Sequence, residues 1–506
     1  MKKFTTCLLI VFSALLLIAT GAQAQITISG TVTLVDYDED EGDLTFEPLP
    51  SGSVYAFYYD GTEYSPAGSP VAAGIFSYDL DVAPGTKIGF LVTGHAGDAS
   101  VIGTNCPFIT IGNFDREDLH VEIYGKDLID YVVAHSNITN QETTTIVLGR
   151  MDWSASLAGI AGVTSHGLAT DLAVAHPDRL FAWVKEVENQ GLDLPQNLVV
   201  ALYPGGEVPH QNSEVRAYPY LTTAPDPDLY QVSFARPIIG IEVSGIVESG
   251  TDVGDEQPLA SGCVSVRDKA EDLVLNSDEI GAADDGAFSL IAPWAEDIFL
   301  QVRGPAGGDF TWITYPFFIS GLNVEDVELQ VLEKERIEGV LTTFDTTFDL
   351  ELTEEDYDSI GLIGGVVERI IYKREGNDYE DAEGVSISIT DTNNQEVLYK
   401  ILYMNESGTF VEGTQTAGSG AFAILIDDPG VTFPLDVKFL ATSDAEGFEY
   451  ISVVEARVYA LAEKDDGMIT FAPIIVYYDI DEGDVPLDDG GGGGGGCFIG
   501  TANSRP

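Results

Sequence analysis

Basic residues are scarce in this chain. Lys and Arg together number 23 against 83 Asp and Glu, a formal net charge of −60 at pH 7. A field of that sign repels nucleic acid phosphates and anionic membranes, so neither is expected as a partner. Cysteine is also rare, with four in all. One of them, Cys7, sits in an N-terminal leader. The remaining Cys106, Cys263 and Cys497 are too few, and odd in number, for a disulfide framework. Cys106 and Cys263 read as small buried hydrophobes. Beyond the N-terminus no apolar run approaches the roughly 18 residues of a helical membrane span. The usual catalytic punctuation is missing too. There is no H-E-x-x-H, no C-x-x-C, no G-x-S-x-G elbow, no P-loop, and no G-x-G-x-x-G after a strand. None of the six histidines (His95, His120, His135, His166, His176, His210) has a second His four residues on, so zinc is not expected, and each reads as a surface or loop residue. Carboxylates are so abundant that no acid pair can be singled out as a glycosidase dyad. The chain reads as a non-enzyme.

What is present begins with an address. Lys2 and Lys3 form a basic start, Cys7–Ala19 is almost purely apolar, and Ala22-Gln23-Ala24 is an A-x-A site. This is a secretory signal peptide, residues 1–24, cleaved between Ala24 and Gln25. Loss of its two lysines takes the charge from −60 to −62. The hydrophobic fraction of 44% and the aromatic fraction of 10% are enough to fill several cores, so the charge does not imply disorder. A length of 506 residues predicts roughly three to four domains.

The middle of the chain repeats itself. P-L-P-S-G-S-V at Pro48–Val54 returns as P-L-A-S-G-C-V at Pro258–Val264. A-G-I-F-S-Y-D-L from Ala73 returns as D-G-A-F-S-L-I-A from Asp285, and I-G-F-L-V-T-G at Ile88–Gly94 as I-F-L-Q-V-R-G at Ile298–Gly304. Apolar residues alternate at Phe76, Tyr78 and Leu80, as on a half-buried strand, and turn signals fall about every ten residues. These features predict an all-β chain of tandem β-sandwiches, Ig-like or transthyretin-like. The order G-x-V, G-x-V, G-x-F-S and P-G-T is carried by Gly30, Val32, Gly52, Val54, Gly74, Phe76, Ser77, Pro84, Gly85 and Thr86. It resembles the carboxypeptidase regulatory-like domain, a seven-stranded transthyretin-like sandwich of secreted bacterial proteins. The resemblance implies a structural or accessory module, with no catalytic residue to carry over.

The expected divisions are repeat one at 25–125, a divergent β-rich module at 126–238, repeat three at 239–335, repeat four with an acidic leader at 336–476, and an acidic, Gly-rich disordered tail at 477–506. In the second module Leu157–Val163 reads as an opening strand. Pro177–Gly191, with Leu180, Phe181, Val184 and Val187 on one helical face, fits a short helix as well as a strand. The acidic stretch Leu350–Ser359 reads as a linker or long loop. Repeat four carries I-G-G-V-V at Ile363–Val367 and G-A-F-A-I-L-I at Gly420–Ile426.

Three features lie outside the repeat. Asp36, Asp38, Asp40, Asp43 and Glu47 space carboxylates as a calcium loop would, although Glu41 stands where such a loop needs Gly. The set is either a calcium site or a solvated acidic loop, and Asp479–Asp484 carries a second copy. Tyr55, Phe57, Tyr58, Tyr59 and Tyr64 are either an aromatic binding platform or alternating core residues, and Tyr218 and Tyr220 add to them. Finally, Gly490–Gly496 precede Cys497-Phe498-Ile499-Gly500-Thr501-Ala502. A glycine run ahead of C-F-I resembles the bacterial C-terminal Cys-Phe-Ile sorting box, with Gly500 in place of the usual Ala, and implies sorting or anchoring through Cys497, Phe498 and Ile499.

The sequence therefore predicts an exported, non-enzymatic β-sandwich protein of the bacterial cell surface, acting as a scaffold, stalk or adhesion module toward a protein or polysaccharide. An accessory subunit of a secreted hydrolase system and a calcium-stabilised surface protein are the alternatives.

Overall fold

The computed structural model describes residues 26–477 apart from short internal segments, the longest of them 151–159 and 220–230. It is an all-β chain in two compact units, the first ending at Pro237 and the second starting at Ile238 apart from two short segments. Each unit has the same order: a β-sandwich, a helix that follows its last strand without a break, and a second β-rich module.

In the first unit the chain enters as β1 (Ile26–Asp38). It continues through β2 (Asp43–Pro48), β3 (Ser51–Tyr58), β4 (Ser69–Ala72), β5 (Ile75–Leu80), β6 (Lys87–Gly94) and β7 (Val101–Asn105), and leaves as β8 (Arg116–Gly125). β1 lies between antiparallel β5 and parallel β8, and β3 pairs with β4 and β6. Alternation fills the space between the layers. Val32, Phe76, Phe90 and Ile123 point inward and are buried, and along β5 the exposed Ile75, Ser77 and Asp79 alternate with buried residues. The same plan recurs in the second unit with β14 (Ile238–Ser249) entering and β20 (Val324–Glu333) leaving. Between them run β15 (Gly262–Asp268), β16 (Val274–Ile280), β17 (Ala287–Pro293), β18 (Asp297–Arg303) and β19 (Phe310–Thr314).

The glycines of the repeated motif now have a cause. The entry and exit strands run parallel, and the exit strand shifts register beside the G-x-V glycine, between Ile28 and Gly30 in one sandwich and between Val243 and Gly245 in the other. That shift pushes a carbonyl against the entry strand. A Cβ on Gly30 would stand 1.9 Å from the Leu119 carbonyl oxygen, one on Gly245 1.9 Å from that of Val327, and one on Gly365 2.3 Å from that of Ala472. Only a residue without a side chain admits the crossing. The glycine before the core phenylalanine has a different reason. Gly74, Gly286 and Gly420 sit at φ +78°, +77° and +62°, a left-handed turn, and their carbonyls accept hydrogen bonds from the N–H groups of Val32, Val247 and Val367.

Two helices were not expected. α1 (Lys126–Ala134) follows β8 directly, and α2 (Lys334–Phe348) follows β20 directly. Leu128, Ile129 and Val132 of α1, and Ile337, Leu341 and Phe344 of α2, are buried at three- and four-residue spacing, so both are held by an apolar stripe. The acidic stretch Leu350–Ser359 begins after α2 has ended and is a loop that holds a short 3₁₀ turn at Glu354–Asp356, in which Thr353 and Asp356 cap each other. In the second module the segment that fitted helix or strand is a strand, β10 (Leu180–Glu186). It pairs antiparallel with the opening strand β9 (Thr144–Arg150), which precedes the expected opening at Leu157. The module goes on with β11 (Gln196–Pro204), β12 (Ser213–Ala217) and the exit strand β13 (Gln231–Ala235), which runs parallel to both β9 and β7.

The fourth module opens with β21 (Gly361–Lys373). It continues with β22 (Gly376–Asp381), β23 (Val385–Asp391), β24 (Tyr399–Met404), β25 (Ala421–Ile426), β26 (Leu435–Ser443), β27 (Tyr450–Val458), β28 (Met468–Phe471) and β29 (Ile474–Tyr477). β28 runs parallel to β19 and β21, as β13 runs parallel to β7 and β9 in the first unit. The two units share a strand order, helix included.

Gly30→Ala or Gly245→Ala should destabilise the protein by about 3 kcal/mol, since backbone is the obstacle and cannot step aside. Gly339→Ala, exposed in the middle of α2 with nothing within 4 Å of the added atom, should stabilise by about 0.5–1 kcal/mol. Urea unfolding of the variants would show the opposite signs.

Candidate functional site

β1 and β2 form a hairpin in which Asp36 faces Thr45, Asp38 faces Asp43, and Glu47 faces Leu34. Glu47 therefore stands four strand residues, about 13 Å, from Asp43. Asp40 lies outside the described residues. Among the described residues no group of three His, Cys, Asp or Glu stands close enough to hold a metal ion.

Asp36 is engaged elsewhere. Its Oδ1 accepts the N–H of Leu128 at 3.1 Å and that of Tyr37 at 2.9 Å. α1 has no side-chain cap of its own, because its N-cap residue is Gly125. Asp36 supplies the missing acceptor from 92 residues away, and it opposes the positive end of the helix. Gly125 leaves the room, since a Cβ there would lie 2.0 Å from the Asp36 carboxyl carbon. Burial pushes the Asp36 carboxyl above its ordinary range, against the pull of the N–H donors, and the nearby Asp127 adds to the rise. On the same hairpin the Tyr37 ring lies 4.4 Å from that of Tyr131 in α1, which in turn lies 4.1 Å from His135. The hairpin is a bracket for the helix.

The aromatic cluster is also absorbed. Phe57 is buried. Tyr58, Tyr64, Tyr78 and Phe90 form a chain of edge-on rings, 5.7 to 6.3 Å apart, that runs into the core. Tyr64 accepts the Asp81 N–H at 2.6 Å through its hydroxyl, and Gly68 lies against the Tyr55 ring. Tyr59, exposed by 41%, belongs to the junction between the first sandwich and the second module. Its hydroxyl donates to Glu214 of β12, whose carboxylate pairs with Lys87 at 2.6 Å. Asn197 donates to the Tyr59 carbonyl at 2.8 Å, and the Phe108 ring lies tilted against that of Tyr59, 4.9 Å between centroids. Burial raises the Glu214 carboxyl, but Lys87 and the Tyr59 hydroxyl outweigh it and hold the group low. Tyr218 lies under Arg216 at 5.8 Å, and Tyr220 lies outside the described residues.

A denser polar junction, not anticipated from sequence, joins the third and fourth modules. Arg457 of β27 donates to both carboxylate oxygens of Asp436, at 2.7 and 3.0 Å, and to the Lys269 carbonyl at 2.7 Å. Asp272 accepts from Arg267 at 3.0 Å and from the Tyr459 hydroxyl at 2.5 Å, and Arg267 also donates to Gln301 at 3.1 Å. Lys269 and Lys438 flank Glu455 at 3.0 and 3.4 Å. Phe299, Trp312, Tyr459 and Met468 pack beside them. Each group answers another, so the network is a seam and not an open site.

Cys106 is fully buried, and burial, then the charge of Glu122, pushes its thiol far up, which leaves it an inert core residue. Cys263 is half-buried, and neither of the two forms a disulfide. His120 departs from the expected surface placement. It is buried on β8, with Nδ1 3.1 Å from the Thr31 hydroxyl and Nε2 3.8 Å from the Glu122 carboxylate. The cleavage site Ala24/Gln25, Asp479–Asp484 and the box Cys497, Phe498 and Ile499 lie outside the described residues. No described helix is long and apolar enough to cross a membrane.

No family model matches the chain, and no curated protein matches it. Among solved structures, the TIE protein of Bacillus anthracis is 10% identical over 90% of this chain and 75% of its own, with a TM-score of 0.16. A streptococcal ancillary pilin is 9% identical over 60% and 99%, with a TM-score of 0.14. The Corynebacterium diphtheriae major pilin SpaA is 11% identical over 61% and 100%, also at 0.14. Likeness at this level says nothing of what the present chain binds.

Asp36→Ala should cost about 1 kcal/mol through the lost cap. Asp36→Asn keeps an acceptor and removes the desolvated charge. Because the folded-state pKa of Asp36 is raised, its ionisation costs stability as pH rises through that value. Wild type should therefore lose ground to Asp36→Asn between about pH 3.5 and neutrality, read from urea midpoints across that range. Arg457→Ala should cost about 3 kcal/mol by leaving Asp436 half-buried without its partner, with the loss seen in the melting of the second unit.

Proposed function

We propose that the protein is an exported, non-enzymatic scaffold of the bacterial cell surface, a chain of β-sandwich modules that holds or presents a binding partner at a distance. One observation carries the reading. The residues that recur from module to module are all spent on structure: Gly30, Gly245 and Gly365 at strand crossings, Gly74, Gly286 and Gly420 at left-handed turns, and Phe76, Phe288 and Phe422 in cores. Residues that do not recur, among them Tyr59, Glu214, Asp272, Arg457 and Asp36, tie one element to the next. The chain invests its specific side chains in joining modules, as a scaffold requires. The signal peptide and the C-F-I box supply the address in this reading. The acidic surface keeps the exported chain soluble, and the box at Cys497 retains it at the envelope.

The mature protein should begin at Gln25 and fractionate with the envelope or the medium, and Cys497→Ser should move it toward the medium. N-terminal sequencing and fractionation check both. A chain kept in the cytoplasm with its first 24 residues intact would overturn the reading. So would turnover of a polysaccharide or peptide that a single carboxylate substitution abolishes.

A further inference from the structure

We propose that each module is a load-bearing clamp, built so that tension along the chain shears its hydrogen-bond ladder instead of peeling it open. The inference rests on the scaffold reading for its purpose, but its geometry stands alone. In all four modules the strand by which the chain enters is a parallel, hydrogen-bonded neighbour of the strand by which it leaves. β1 pairs with β8 from Ile28 to Val35. β9 pairs with β13 from Val147 to Gly149. β14 pairs with β20 from Val243 to Ser249. β21 pairs with β28 and then β29 from Ile363 to Ile370.

The direction of pairing sets how the load is shared. In a parallel pair the N-terminal end of one strand and the C-terminal end of the other lie at opposite ends of the ladder. Tension then draws the strands past one another, and every bond between them carries load together. Had the two strands been antiparallel, both pulled ends would lie at one end of the ladder, and the bonds would break in turn.

Further features suit the clamp to load. The entry strand of the first sandwich is bonded on both sides, to β5 and to β8, so it cannot swing free. Val32, Val35, Val121 and Ile123 of the paired strands are buried, which keeps water from the bonds. The register is pinned as well. Only at Gly30 does the entry strand accept the Leu119 carbonyl, and a slip by two residues would drive that carbonyl into the side chain of Ile28 or Val32. At the far end Asp36 of the entry strand holds the first turn of the helix that follows the exit strand. Neither cysteine of the described residues forms a disulfide, so none shares the load.

The test is single-molecule stretching of the full mature chain in two geometries. Handles at the two chain ends load β1 against β8. A handle at the N-terminus and another at the exposed Ala83→Cys, with Cys263→Ser and Cys497→Ser, load β1 against antiparallel β5, whose ends Ile26 and Leu80 face each other. The first sandwich should break at a several-fold higher force along the chain axis than across the β1–β5 ends, releasing about 100 residues or about 330–360 Å of chain. Gly30→Ala should lower the axial force and leave the β1–β5 force little changed. Equal forces in the two geometries would overturn the clamp even if Gly30→Ala fails to fold. A cytoplasmic chain would instead overturn the scaffold reading and leave the force ratio standing.

Discussion

The structure depends on a crossing at which two parallel strands come too close for a side chain. In each sandwich the exit strand bulges toward the entry strand, and a glycine receives its carbonyl. Because the crossing fixes the register of the outer pair, it also fixes which face of the entry strand looks inward. Val32 and Val247 are committed to the core by that choice, and the phenylalanine of the next hairpin closes over them. The left-handed glycine before the phenylalanine bonds back to the same strand, two residues past the crossing. Crossing, turn and core plug are one device, met three times.

What the device does not supply is attachment between modules, and here the scarce cations matter. In a chain with 83 acidic and 23 basic side chains, a cation has its largest effect where carboxylates must be brought out of water. Across the seams Lys87 does this for Glu214 and Lys269 for Glu455, while beside the second seam Arg457 pairs with Asp436 and Arg267 with Asp272 inside their own modules. These pairs are half-buried and hydrogen-bonded, the setting in which an ion pair gives specificity of docking more than raw stability. Asp36 shows the same economy with a helix end in place of a cation.

Much of this was legible in the sequence, and the parts that were not share a cause. Alternation and turn spacing gave the strands, since period two and left-handed turns are local properties. The stripe of Leu128, Ile129 and Val132 was there to be read as α1, but it is short and follows a strand with no capping residue of its own. Its cap comes from Asp36, 92 positions earlier. The same residue therefore looked like a calcium ligand: an isolated D-x-D-x-D pattern cannot say which carboxylate is already engaged. Tyr59 looked like a platform because its partner Glu214 is 155 residues away. His120 looked superficial because nothing near it in sequence reports that β8 is covered on both faces.

The sequence by itself determined the all-β class and the sites of tight turns. Each is encoded within about ten residues, by alternation or by a glycine. The tertiary structure alone decided the parallel pairing of first and last strands, the role of the crossing glycines, and the seams between modules. The physical reason is range. A hydrogen bond between β1 and β8, or an ion pair between Arg457 and Asp272, joins residues that local composition cannot relate, and only the closed sandwich brings their backbones and charges within reach.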